Sequence, residues 1–168
     1  EVRNKKVLDI GSNTGAFCFL AEEYGALEVR GVEINKNMFK TAQVLALIKN
    51  STVTFNNDDV LSHVNTFEQK SFDITFAFAV LHKMTKSENQ WKILTDESGY
   101  HDDHLLQEDF LKRLISLTKE KLFIELTYRY EGYPTETENY PKYEDVDPHY
   151  FVDNYTKEGF FKSIEIVG

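Results

Sequence analysis

Short apolar runs alternate with amphipathic stretches along the chain. Lys6 to Ile10 reads as a first strand that ends at Gly11, and Gly15 to Tyr24 as a helix with Phe17, Leu20, Ala21 and Tyr24 at helical spacing. Leu27 to Ile34 is expected to be a second strand. Lys36 to Lys49 follows as a helix with Met38, Ala42, Leu45 and Lys49 on one stripe, and Thr52 to Phe55 as a short third strand. Ser71 to Leu81 carries the fourth strand, a nearly continuous apolar run suited to burial on both sheet faces. Ser87 and Gln90 match a capping box and predict a short helix through Trp91 and Leu94. His104 to Leu117 predicts a longer helix and Lys121 to Thr127 a fifth strand. His149 to Lys157 predicts a further helix and Phe160 to Val167 a closing strand. Strands alternating with helices predict an α/β fold: a three-layer sandwich with a mostly parallel sheet and helices on both faces. A chain of 168 residues has room for one domain.

Composition narrows the function. Apolar residues make up 41% of the chain, enough for a buried core, and 19 basic against 28 acidic side chains leave a net charge of −9. Such a chain repels phosphate backbones, which disfavours a sequence-independent nucleic-acid binder and a polybasic membrane-surface protein. The single cysteine, Cys18, excludes an internal disulfide and a four-cysteine zinc site; it falls on the apolar side of the first helix and is expected in the core. The longest strongly apolar stretch, Ile74 to Leu81, is far short of the roughly 20 residues that span a bilayer. No basic-then-apolar leader opens the chain, so a cytoplasmic location is expected. The chain starts at Glu1 and enters a strand almost at once, which suggests a trimmed chain or one domain of a longer protein.

One stretch differs from the rest. Seven of the nine tyrosines lie between Tyr128 and Tyr155, and Pro134, Pro141 and Pro148 fall in the same window. Residues 128–160 carry a local charge of −5. A stretch this long and aromatic reads as a functional loop rather than a flexible linker. A lid over an acceptor, packed cover for the sheet edge and a partner surface remain open for it.

The chemistry concentrates in Val7-Leu8-Asp9-Ile10-Gly11-Ser12-Asn13-Thr14-Gly15. A strand runs into a glycine-bracketed turn and then a helix, whose free N–H groups and positive dipole end suit a nucleotide-like ligand. Glu33 follows Gly11 by 22 residues, where a carboxylate can accept both ribose hydroxyls of an adenosine. A dinucleotide site wants a second glycine where this chain has Asn13. That loss matters for a pyrophosphate and less for S-adenosylmethionine, which has none. His101-Asp102-Asp103-His104 has metal-like spacing, but acidic residues also suit the first turn of a helix starting near His104, and no metal site is expected.

These segments resemble class I S-adenosylmethionine-dependent methyltransferases, of the methyltransferase type 11/12 kind. Asp9 to Gly15 is similar to the family's first motif with Asn13 in place of its middle glycine, and Gly31-Val32-Glu33-Ile34 to its ribose-binding second strand. Asn57-Asp58-Asp59-Val60 resembles the turn that faces adenine. Phe72 to His82 resembles the fourth strand and the turn beside the methyl-transfer centre, and Gly159-Phe160-Phe161 the approach to the sixth strand. Departures are the missing helix ahead of the first strand and the missing seventh strand.

The resemblance implies S-adenosyl-L-methionine as cofactor, held by Asp9, Gly11, Ser12, Asn13, Gly15, Glu33, Ile34, Asp58 or Asp59, Val60, Phe78, Ala79 and Val80. Asp59 is favoured over Asp58 for adenine. Asp9 either holds the loop or reaches the methionine amine. His82, Glu125 and Tyr128 are the candidate catalytic residues facing the acceptor, with His82 either a proton acceptor or a pocket-shaping side chain. The expected reaction is methyl transfer to a small-molecule acceptor. The alternatives are a catalytically reduced binding or regulatory domain, an NAD-dependent oxidoreductase, which Asn13 disfavours, and a transfer-RNA-modifying enzyme, which the acidic charge disfavours.

Overall fold

A computed structural model of the chain describes residues 1–78, 80, 84–87, 90–93 and 104–124. The chain divides into two compact units, Glu1–Leu126 and Thr127–Gly168, and the described residues all lie in the first. Its elements are β1 (Lys6–Ile10), α1 (Ala16–Glu23), β2 (Glu28–Val32), α2 (Lys36–Lys49), β3 (Thr54–Asn56) and α3 (Val60–His63) with a 3-10 turn over Val64–Thr66. They continue as β4 (Phe72–Ala77), β5 (Met84–Ser87), β6 (Gln90–Ile93), α4 (His104–Leu117) and β7 (Thr118–Ile124). Five strands form one sheet in the order β3-β2-β1-β4-β7, and every pair in it is parallel. The chain steps outward from β1 to β3, then returns to β4 on the other side of β1. The connections after β1 and β4 therefore diverge, which opens a crevice at their carboxyl ends, the usual ligand position in such sheets.

Strand alternation divides the core in two. Leu8, Ile10, Val32 and Ala77 face α3 and α4, where Val60, Val64, Phe110, Leu114 and Leu117 meet them. Val7, Val29, Ile74 and Phe76 face the other way, against Cys18, Phe19 and Ala21 of α1. Both faces of β1 are thus covered, which is why its apolar residues run without alternation. Full burial of each large aliphatic side chain there is worth roughly 1.5–3 kcal/mol. Helix α2 starts where the Asn35 side chain accepts hydrogen bonds from the amides of Asn37 and Met38, and stops at Asn50, whose left-handed backbone closes the last turn. No helix among the described residues is long and apolar enough to cross a membrane.

Four expectations change. Phe17, Leu20 and Tyr24 are exposed; α1 buries Cys18 and Ala21, as expected, together with Phe19. The small Cys18 and Ala21 let the helix lie close over the sheet. On α2, Ala42 is buried and Leu45 half-buried, but Met38 and Lys49 point outward. The short helix after Ser87 is overturned: β5 and β6 form an antiparallel hairpin in which Ser87 pairs with Gln90 and Met84 with Ile93. Two residues separate Ser87 from Gln90, the length of a tight hairpin connection, and pairing across it outweighs a local capping signal. The fifth strand of the sheet begins earlier than expected, at Thr118, directly after α4. Residues 128–155, the expected helix over 149–157 and the closing strand over 160–167 lie outside the described residues.

The junction of α4 and β7 is held by a buried pair of hydroxyls. The Thr118 hydroxyl bonds both the Leu114 carbonyl at 2.7 Å and the Thr75 hydroxyl of β4 at 2.8 Å. Removing Thr75 leaves Thr118 with a partner, whereas removing Thr118 strips the one hydrogen bond that the Thr75 side chain makes among the described residues. Thr118→Val is expected to cost about 1–3 kcal/mol in chemical denaturation and Thr75→Val clearly less. Equal losses would show that the two hydroxyls do not act as a chain.

Candidate active site

The turn after β1 alternates in handedness. Gly11, Asn13 and Gly15 have φ of 71°, 52° and 86°, all left-handed. Asparagine is among the few side chains that tolerate this region, which explains how Asn13 replaces a glycine. The turn closes on itself and on β2: the Gly11 and Ser12 amides donate to the Val32 carbonyl at 2.9 and 3.1 Å, and the Gly15 amide donates to the Ser12 carbonyl at 2.8 Å. A Cβ on Gly11 would lie 2.6 Å from Val80 Cγ2, and one on Gly31 would lie 2.7 Å from Ser12 Oγ. Glycine at 11 and 31 thus lets the segment after β4, the first turn and β2 approach one another.

Glu33 binds two loops together. Its Oε2 accepts from the Asn13 amide at 2.8 Å and its Oε1 from the Asn35 amide at 2.7 Å. Each oxygen keeps a further lone pair for a ligand hydroxyl. Asn57 adds the third loop, donating from Nδ2 to the carbonyls of Glu33 at 2.8 Å and Ile34 at 3.0 Å. Sequence reasoning used Asn57 only as part of a motif. Its signal was an amide side chain just past a strand end, able to satisfy backbone groups that no neighbouring strand reaches.

Asp58 and Asp59 separate. Asp58 accepts from the Asp59 amide and pairs with His63 Nδ1 at 2.9 Å, and the His63 hydrogen bond holds its carboxyl below the usual range. The Asp59 carbonyl accepts from the His63 amide at 2.8 Å, in the first turn of α3. Val60 and Val80 are buried, Ile34 is half-buried, and the half-buried Phe78 ring lies 4.8 Å from Phe17 and stacks on Phe76 at 5.4 Å. Ala79, His82, Glu125 and Tyr128 lie outside the described residues, as do His101, Asp102 and Asp103; His104 opens α4.

Asp9 lies on β1, only 2% exposed, and Cys18 Sγ of α1 donates to its Oδ2 at 3.2 Å. Burial pushes its carboxyl up to about 7; the thiol hydrogen bond opposes that rise and the Glu33 carboxylate adds to it. Burial also pushes the Cys18 thiol well above its usual range. Ser12 Oγ is buried with no hydrogen-bond partner among the described residues. An orphan hydroxyl, two carboxyl groups and glycines held open by close packing suit a cationic ligand that carries hydroxyls, as S-adenosylmethionine does.

Residues 7–96, more than half of the chain, match a family model described as a methyltransferase domain. The chain belongs to that family, the class I S-adenosylmethionine-dependent methyltransferases, and family and fold together imply S-adenosyl-L-methionine as cofactor. It is 33% identical over 89 residues to a phosphoethanolamine N-methyltransferase of Plasmodium falciparum, a match covering 52% of this chain and 32% of that protein. It is 34% identical over 64 residues to a putative protein N5-glutamine methyltransferase of Methanocaldococcus jannaschii, covering 38% of this chain and 32% of that one. The matches span about a third of the length of these curated relatives. The crystal structure of the PH0226 protein from Pyrococcus horikoshii superposes with a TM-score of 0.53 at 26% identity, over 73% of this chain and 49% of that one.

Two outcomes test the site. Glu33→Ala removes the acceptor of two loop amides, each hydrogen bond to a carboxylate being worth about 1.5–3 kcal/mol. It is expected to lower cofactor affinity at least tenfold in calorimetry and also to lower the melting temperature of the cofactor-free protein. An unchanged cofactor-free melting temperature would dismiss the bridging role. For Asp9, the folded protein keeps a proton that the unfolded chain gives up between about pH 4 and 7. Stability from this group is therefore full below that window, falls as pH rises through it and levels off above. Asp9→Asn lacks the loss, so its stability relative to the parent should rise from pH 5 to pH 8 by roughly 1.4 kcal/mol per unit of displaced titration. A pH-independent difference would show that Asp9 titrates normally.

Proposed function

We propose that this chain transfers the methyl group of S-adenosylmethionine to a small-molecule acceptor. The observation that carries the reading is Glu33, buried at the end of β2, with both oxygens aimed by backbone amides and a lone pair left on each. Gly11, Ser12, Asn13 and Gly15 cradle the methionine part of the cofactor. Glu33 accepts the ribose hydroxyls, with Ile34 beside it. Asp59 and Val60 hold adenine. Phe78, Ala79 and Val80 line the cofactor. When bound, the cofactor supplies a methyl group on an already activated sulfur, so placement of the acceptor matters more than strong base catalysis. His82, Glu125 and Tyr128 are assigned to the acceptor side, with His82 the group best suited to take up a proton near neutral pH.

Residues 1–168 are read as one methyltransferase domain, set in the cytoplasm and open to further domains of a longer chain, with 128–155 as a Tyr-rich lid that selects the acceptor. The net charge of −9 disfavours a nucleic-acid acceptor. A small amine acceptor is supported by the phosphoethanolamine N-methyltransferase match. A second reading, a glutamine side chain of a protein, is supported by the other relative.

Saturating S-adenosylhomocysteine should raise the melting temperature, by roughly 2.7 kcal/mol of added stability at 100 times its dissociation constant, and NAD should not. Equal stabilisation by NAD would overturn the cofactor assignment. With labelled cofactor, the label should pass to small amines and not to glutamine-containing peptides; the reverse favours the protein acceptor. Binding without any turnover favours a regulatory domain. Replacing Tyr130 to Tyr143 with a short Gly/Ser link should spare cofactor binding and abolish turnover, since loop closure depends only weakly on length. Loss of cofactor binding would mean that the stretch is not a lid.

A further inference from the structure

Asp9 and Cys18 sit on facing elements beneath the glycine turn. Asp9 lies on β1, between Gly31 of β2 and Phe76 of β4 in the sheet register. Cys18 lies on α1, fully buried, and its thiol reaches across to Asp9 Oδ2 at 3.2 Å. The titratable groups among the described residues that act on Asp9 are Cys18 from α1 and Glu33 just past β2, and neither brings a positive charge. β4 presents Phe76 beside it, which does not titrate. Ser12 Oγ, buried and without a partner among the described residues, lies over Gly31, the register neighbour of Asp9. The Glu33 oxygens are already engaged by two amides. The cradle therefore holds a buried carboxyl group whose one side-chain donor among the described residues is a thiol.

We propose that Cys18 is a positioning residue of the cofactor cradle: its thiol fixes the Asp9 carboxyl group by a hydrogen bond across from α1 and so governs how readily that group ionises when a cationic ligand arrives. A thiol is a weak donor. It orients the carboxyl group while leaving the ionised form poorly stabilised until a ligand supplies positive charge. Below about pH 7 the free protein carries the Asp9 proton, and ligand binding releases it. Affinity for S-adenosylmethionine then rises with pH toward a plateau. The hydroxyl of a Cys18→Ser variant is a stronger donor to the carboxylate and moves the plateau to lower pH. Cys18→Ala removes the donor and moves it to higher pH. Asp9→Asn abolishes that transition. The cofactor's own amine titrates alike in every case and cancels in the comparison. The link to S-adenosylmethionine rests on the cofactor reading above; the coupling of Cys18 to Asp9 does not.

The experiment has two arms on the same four proteins: parent, Cys18→Ser, Cys18→Ala and Asp9→Asn. The first follows stability of the cofactor-free protein against pH by chemical denaturation. The second follows S-adenosylmethionine affinity against pH by calorimetry, in buffers of differing ionisation enthalpy so that proton release is counted. The expected result is one order of midpoints in both arms, serine below cysteine below alanine, separated by about half a pH unit or more, with fractional proton release below pH 7 that disappears in Asp9→Asn. Opposite shifts for serine and alanine separate tuning from packing damage, since both replacements lose packing. Coincident midpoints in the cofactor-free arm overturn the proposal. Separated midpoints there, with no S-adenosylmethionine binding at any pH, uphold the coupling and overturn the cofactor reading instead.

Discussion

One buried carboxylate holds the ligand end of this domain together. Glu33 accepts from the Asn13 amide on one side and the Asn35 amide on the other, so the turn after β1 and the start of α2 share an anchor. The turn needs one. Three of its five residues are left-handed, and Asn13 is not a glycine. Such backbone persists only where its surroundings over-determine it. Asn57 extends the same tie to the loop after β3 by bonding the carbonyls of Glu33 and Ile34. Three loops that would otherwise move separately are joined before any ligand arrives, and a site fixed in advance spends less of its binding energy on ordering.

The two acidic groups of the cradle have unlike surroundings, and this gives them unlike properties. Glu33 receives two backbone N–H groups, strong and fixed donors. Asp9 receives one thiol and is pushed upward by burial. Environment rather than residue type separates such groups. A carboxylate held by amides suits hydroxyls of a ligand. A carboxyl group poised near neutrality suits a positive charge, because the ligand's arrival changes its ionisation.

Beneath the cradle the sheet supplies rigidity. β1 is covered on both faces and paired on both edges, so Asp9 and the turn that follows at Gly11 rest on a strand held from every side. Toward the amino end of β7, away from the crevice, the Thr118–Thr75 hydroxyl pair ties β7 and α4 to β4. Val80, packed where a Cβ on Gly11 would fall, joins the two halves. Small residues at 11 and 31 are the condition for this closeness.

The sequence by itself determined β1, α1, β2, α2, β3, β4 and α4 in their order, the parallel α/β class and the position of the glycine turn and Glu33. Period-2 and helical patterns are local, and the 22-residue spacing from Gly11 to Glu33 measures one helix and one strand. The bounds of α2 and α4 were legible residue for residue, although the stripe expected on α2 was not the one it buries. The buried face of α1 was legible only in part: Cys18 and Ala21 lie in the core as expected, but Phe17 is as apolar as Phe19 and only packing against the sheet decided which aromatic ring is buried. The β5–β6 hairpin was not legible either, because a capping signal of four residues competes with pairing that only the folded chain reveals. Tertiary structure alone gave Asp9 its thiol partner and Glu33 the Asn13 amide. Those contacts join residues 9 and 20 positions apart, and sequence spacing carries no information about which side chain on a helix will meet which group on a strand.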